Sequence, residues 1–132
     1  MMNDEKSKPR DICTRTFAYS LRAIKLYQFL EQGRNRAGRT IGKQFLRAAT
    51  SVGANVEEAQ SAESKADFIH KLAIAQKEAR ESLYWLRLLR ASEIVSEKRI
   101  MAITTETEEL VAIISKIIIN AKKRREKNRT KI

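Results

Sequence analysis

In the last third of the chain, Ile100, Ile103, Thr107, Leu110, Ile114, Ile117 and Ala121 succeed one another at alternating steps of three and four residues. That spacing is the seam by which a helix packs into a bundle. A strand cannot carry it, because strand side chains alternate faces every second residue. Three earlier segments share the period. The first spans about Asp11 to Gln32, where Phe17, Leu21, Ile24 and Gln28 mark a stripe that Ala23, Leu26, Tyr27 and Leu30 widen. The second spans about residues 40–59, with Ile41, Phe45, Ala48, Val52, Val56 and Ala59 in register. The third opens near Ser64, where Ser64-Lys65-Ala66-Asp67 has the pattern of a capping box. It carries Phe68, Leu72, Ala75, Ala79, Leu83, Leu86 and Leu89, flanked by Ile69, Ala73, Ile74, Trp85 and Leu88. The fourth opens near Ser96, and its Val111, Ile113, Ile118 and Ile119 lie off the seam. A helix apolar beyond one stripe is either deeply buried or touches something besides its own bundle.

The joints are short. Gly33 suits the position that ends a helix, and Asn35 and Gly38 are expected to continue a loop. Gly42, Ala49, Gly53 and Ala54 thin the surface of the second helix, so a neighbour can approach closely. Each helical Gly costs about 1 kcal/mol relative to Ala, which close packing must offset. One Pro and four Gly in 132 residues exclude an all-β fold, which needs far more turns. The expectation is all-α: an up-down-up-down antiparallel four-helix bundle over residues 12–121. Residues 1–11 read as a flexible N-terminal arm and residues 122–132 as a basic C-terminal tail.

The lone Cys13 excludes an intramolecular disulfide framework and a cysteine-based zinc site, and fits a reducing cytoplasm. No stretch approaches the roughly 18 apolar residues of a membrane span. The charged N-terminus lacks the apolar run of a signal peptide. A cytoplasmic protein is expected.

The net charge of +11 is localised. Arg34, Arg36, Arg39, Lys43 and Arg47 lie between Glu31 and Glu57 with no acid among them, giving +5. Lys122, Lys123, Arg124, Arg125, Lys127, Arg129 and Lys131 against Glu126 give +6, so these two blocks hold the whole excess. Such blocks suit phosphates, whose neutralisation releases counterions. No aromatic residues interleave with them as base-stacking would require, so backbone-directed binding is expected, with Tyr19, Tyr27, Phe29 and Phe45 in the core or an interface.

Catalytic signals are weak. Asp67 and His70 have ligand spacing on one helix face, but a di-iron bundle needs a second His that this chain lacks. An RNA-cleaving helical enzyme of the HEPN kind would place Arg shortly before His, where this chain has Lys65. Asn55, Glu58 and Glu78 are read as a structural polar layer fixing the register of helices 2 and 3. No catalytic residues, cofactor or metal are expected.

Ser51-Val52-Gly53-Ala54-Asn55-Val56-Glu57-Glu58-Ala59 resembles the Ser-x-x-x-Asn-Ile-x-Glu-Gly/Ala signature of bacterial proteins encoded in intervening sequences of 23S rRNA genes. The run from Asp67 through His70, Glu78 and Glu81 to Trp85 and Leu86 is similar to that family's third-helix block. The resemblance spans about residues 17–120, with Ala59 where many members have Gly. It implies a homopentamer of four-helix bundles arranged as a barrel. It also implies kinship with accessory proteins of diversity-generating retroelements, which bind a reverse transcriptase and nucleic acid. The expected function is therefore a non-enzymatic, homo-oligomeric scaffold that binds an RNA or DNA backbone and recruits a nucleic-acid enzyme. Two alternatives stand beside it: a protein-interaction module without direct nucleic-acid binding, and an RNA-cleaving enzyme using His70.

Overall fold

The computed structural model describes residues 11–130. Residues 1–10 of the expected arm, and Lys131 and Ile132, lie outside them. Four helices account for the described chain: α1 (Asp11–Gln32), α2 (Arg36–Gln60), α3 (Lys65–Ala91) and α4 (Glu97–Thr130). No strand occurs among the described residues. Each helix packs on its neighbour in sequence, and α4 returns to α1 through the sparsest of the four contacts.

Local chemistry fixes the ends. Asn35 caps α2 by accepting a hydrogen bond from the Gly38 amide at 2.8 Å, so the helix starts at Arg36 and not near residue 40. Gly38 is therefore buried in the first turn of α2, where an added Cβ would meet Ile94 at 2.9 Å. Ser64 caps α3 through the Asp67 amide at 3.0 Å, as the capping pattern predicts. At the far end of α3, Glu93 takes a left-handed φ of 62° and turns the chain toward α4. The basic C-terminal segment is not separate from the bundle. It continues α4, because residues 122–129 contain no Gly or Pro and their bases complement the C-terminal dipole.

The core follows the predicted stripes of α2, α3 and α4. Phe45, Val52, Val56, Leu72, Leu86, Leu89, Ile100, Leu110 and Ile114 are fully buried. In the seam of α4, Ile118 replaces the half-buried Ile117. The outcome for α1 is different. Ile12, Thr16, Tyr19, Ala23, Leu26 and Leu30 face inward, while Phe17, Leu21 and Ile24 are 63%, 50% and 36% exposed. Three of the residues read as widening the stripe, Ala23, Leu26 and Leu30, form half of this core face, and the stripe itself faces out.

The reason lies in α2. A Cβ on Gly53 would stand 3.3 Å from the Thr16 carbonyl oxygen, and one on Gly42 would stand 3.1 Å from Leu30. At Gly53 the approach leaves room only for the small Thr16 and Ser20 of α1, and at Gly42 the missing side chain makes room for Leu30. A second contact fixes the same rotation. Thr107 donates to the Ile103 carbonyl at 2.7 Å, so at the 2.7 Å contact between hydroxyls Tyr19 must donate to Thr107. Arg15 reinforces it from the rim, reaching Glu106 at 2.8 Å and Glu109 at 2.9 Å.

Contacts between neighbouring helices run in opposite senses. Gly42 meets Leu30 while Gly53 meets Thr16. Arg47 meets Glu78 while Glu58 meets Lys71. Arg90 meets Glu97 while Gln76 meets Ser115.

Two predictions follow from this packing. Gly53→Leu should lower unfolding stability by about 1–3 kcal/mol through overpacking against the α1 backbone. Urea denaturation checks this, and unchanged stability would refute the close approach. Burial pushes the Tyr19 phenol up to about 12. An unfolded Tyr ionises near pH 10, so the neutral buried phenol stabilises the fold fully below pH 10 and loses that contribution as pH rises through 12. Stability should therefore decline by up to about 2–3 kcal/mol between those limits, more steeply than in Tyr19→Phe.

Candidate nucleic-acid interface

Starting α2 at Arg36 rearranges the first basic block. Arg36, Arg39, Lys43 and Arg47 stand three, four and four residues apart, on one face of the helix and over about 16 Å of its length. Arg34 remains in the joint. Their partners separate them. Arg39 donates to the Gly33 carbonyl at 2.7 Å and closes the joint. Arg47 reaches Glu78 at 3.4 Å and also pairs with Glu81, which accepts a further bond from Trp85 at 3.0 Å. Arg34, Arg36 and Lys43 are exposed and have no acid partner among the described residues.

The position of these bases opposes local stability. The first turn of α2 contains no acid, and Arg36 and Arg39 sit at the positive end of the helix dipole. A cation there is unfavourable by about 0.3–1 kcal/mol. Residues that break a local rule without local compensation are where function is expected.

The second block behaves otherwise. Lys122, Lys123, Arg124 and Arg125 are exposed on α4 beyond Ala121, the last buried residue of that helix. Bases at a helix C-terminus agree with the dipole. Arg99 of α4 packs on Phe29 near the α1–α2 joint, and Lys122 lies 23 residues further along α4, about 35 Å of helix, so the second block is far from the start of the first.

Asn55, Glu58 and Glu78 do not meet in one layer. Half-buried Asn55 donates to the Ser51 carbonyl of its own helix at 2.9 Å. Glu58 is exposed and pairs with Lys71 at 3.0 Å, and Glu78 faces Arg47. Two separate ion pairs thus join α2 to α3 on the protein's exterior. Bases on the facing helices, Lys71 and Arg47, take the two carboxylates, and Asn55 bonds within its own helix, so no shared layer forms.

His70 is exposed on α3, and Lys65 lies 5.6 Å from the Phe68 ring centroid. Among the described residues, no group of three or more His, Cys, Asp or Glu could hold a metal ion. Burial, and then Glu57, pushes the Cys13 thiol up, which leaves less thiolate for nucleophilic work at neutral pH. No described helix is long and apolar enough to cross a membrane.

Tyr19 and Phe45 are core residues and Tyr27 is half-buried, but Phe29 is 40% exposed. The Arg99 guanidinium lies 3.9 Å from its ring centroid. Phe29 also borders a cleft at the α1–α2 joint, lined by Arg34, Gly38 and Ile94 among others. An aromatic side chain therefore does stand among bases. The spacing of 70 residues between Phe29 and Arg99 hides this in the sequence, and only the return of α4 beside α1 creates it.

The fold and this surface can now be set beside known proteins. No curated protein matches the chain. A solved structure from Bacteroides thetaiotaomicron VPI-5482, described as a protein with unknown function from the S23 ribosomal protein family, is 37% identical. The similarity covers 81% of this chain and 97% of that one, with a TM-score of 0.77. Residues 11–116 match the family described as 23S rRNA-intervening sequence protein, leaving the basic end of α4 beyond the match. With most of its length matched, the chain belongs to the 23S rRNA-intervening sequence protein family.

Proposed function

We propose that this protein is a non-enzymatic, homo-oligomeric scaffold that binds the backbone of RNA or DNA. Arg34, Arg36 and Lys43 carry the reading: they lack acid partners among the described residues, and Arg36 is held against the dipole of α2. Phosphates would relieve that conflict, because they suit both a helix N-terminus and a cationic stripe. Lys122, Lys123, Arg124 and Arg125 offer a second contact surface at the far end of α4. Arg39 and Arg47 are assigned to structure, since the joint and the α2–α3 ion pairs occupy them.

The protomer is an up-down-up-down antiparallel bundle, a reading supported by the opposite senses of all neighbouring contacts. Phe17, Leu21 and Ile24 support self-association. Their spacing of four and three residues makes a seam on the outside of α1 that a second copy can cover. A closed ring of five copies, the arrangement that the family resemblance implies, would bring the basic surfaces together in repeated sets. In this reading the scaffold also recruits a nucleic-acid enzyme such as a reverse transcriptase. The competing reading, a protein-interaction module, draws on the same apolar face of α1.

Two experiments separate these. Backbone binding should weaken steeply with salt, and the triple change Arg34→Gln, Arg36→Gln, Lys43→Gln should flatten the log–log salt slope by about 2–3. Unchanged affinity and slope would leave the interaction module standing. Leu21→Glu should reduce the native mass toward that of one chain while the helical signal persists. An unchanged particle mass would remove the α1 seam from the account.

A further inference from the structure

We infer that the cleft between α1 and α4 is a subsite for one nucleotide of a single strand, with the base on the Arg99–Phe29 stack and the phosphate between Arg22 and Lys25. The inference rests on the nucleic-acid reading above and deepens it, from contact with a backbone to contact with a base.

The cleft has a volume of about 220 Å³. Buried Leu26 and Ile103 form its floor, and exposed Arg22, Lys25 and Arg99 stand around Phe29 at its rim. No acid lines it. Acids near this face are engaged elsewhere: Glu106 and Glu109 hold Arg15, and Glu97 holds Arg90. Arg22 and Lys25 have no ion-pair or hydrogen-bond partner among the described residues, and the Arg99 guanidinium has only the ring of Phe29.

This combination selects a ligand class. An apolar floor with three cations and no carboxylate disfavours a cationic or acid-seeking ligand. A free inorganic anion would use the cations but gain nothing from Leu26, Ile103 or Phe29. A nucleotide uses both, since its base stacks on aromatic rings and on guanidinium planes while its phosphate meets the bases. A paired base inside a duplex presents no free face for such stacking, so the subsite belongs to a single strand. Phe29 also borders the cleft containing Arg34, so a strand leaving the stack meets the α2 basic face next.

The test uses the full-length protein, a ten-residue oligouridylate, and an abasic strand of the same length and charge. Wild-type protein should bind the oligouridylate at least about fivefold more tightly than the abasic strand. Phe29→Leu and, separately, Arg99→Gln should abolish that preference while abasic binding changes less than about twofold for Phe29→Leu. Thermal unfolding of each variant verifies the fold, and the exposed Arg99 supplies the second variant if Phe29→Leu destabilises it. Equal wild-type binding of both strands, or a preference that survives both substitutions, overturns the subsite and leaves backbone binding intact. Binding of free uridine monophosphate without binding of the strand overturns it as well. No binding of either strand overturns the subsite and the proposed function together.

Discussion

The close approach of α1 and α2 sets most of what is distinctive in this structure. Gly42 and Gly53 let α2 lie against Leu30 and Thr16 at distances where a Cβ would already crowd its neighbour. The face of α1 that fits there has Thr16 and Ser20 at Gly53 and Leu30 in the space left by Gly42. That choice turns Tyr19 toward Thr107 in the core and leaves Phe17, Leu21 and Ile24 on the outside. It also sets Phe29 at the α1–α4 rim, under Arg99. A helix with two apolar sides has two possible rotations in a bundle, and the glycines of its neighbour decide between them.

Ion pairing then selects which charges face solvent unopposed. Arg15, Arg47, Lys71 and Arg90 each bridge to a carboxylate on another helix or across a joint. These pairs are partly exposed, so each contributes only about 0–1 kcal/mol to stability. Their larger effect is electrostatic partition. Arg47 and Arg90 are neutralised, while Arg34, Arg36 and Lys43 on α2 and its joint, and Arg22, Lys25 and Arg99 at the α1–α4 cleft, have no acid partner among the described residues. The Arg36 conflict with the helix dipole is a local loss of stability that a bound phosphate would reverse.

The period of three and four residues made the helices and three of the four core faces legible in the sequence. Phe45, Leu86 and Ile114 were placed by spacing alone, because α2, α3 and α4 each have one dominant apolar side. Spacing failed for α1, where both sides qualify and the deciding contact belongs to Gly53 of another helix. It also set the start of α2 too late, since the Asn35 cap outweighed the turn propensity of Gly38. The two basic blocks were visible as runs of charge. The pairing of Arg47 with Glu78, and the meeting of Phe29 with Arg99, depend on residues 31 and 70 positions apart. No local pattern encodes such contacts.

In the proposed reading, position in the fold, and not basicity alone, determines where nucleic acid lies. The most direct measurement is photo-crosslinking of a single-stranded RNA to the intact protein, with the attached residues mapped by mass spectrometry. Crosslinks should concentrate in residues 22–43, around Arg99, and along the basic end of α4. Exposed Arg80 and Arg87 on α3 provide the internal comparison, because they carry the same charge and line neither cleft beside Phe29. Crosslinking centred on Arg80 and Arg87, or spread evenly over every exposed base, would contradict the account.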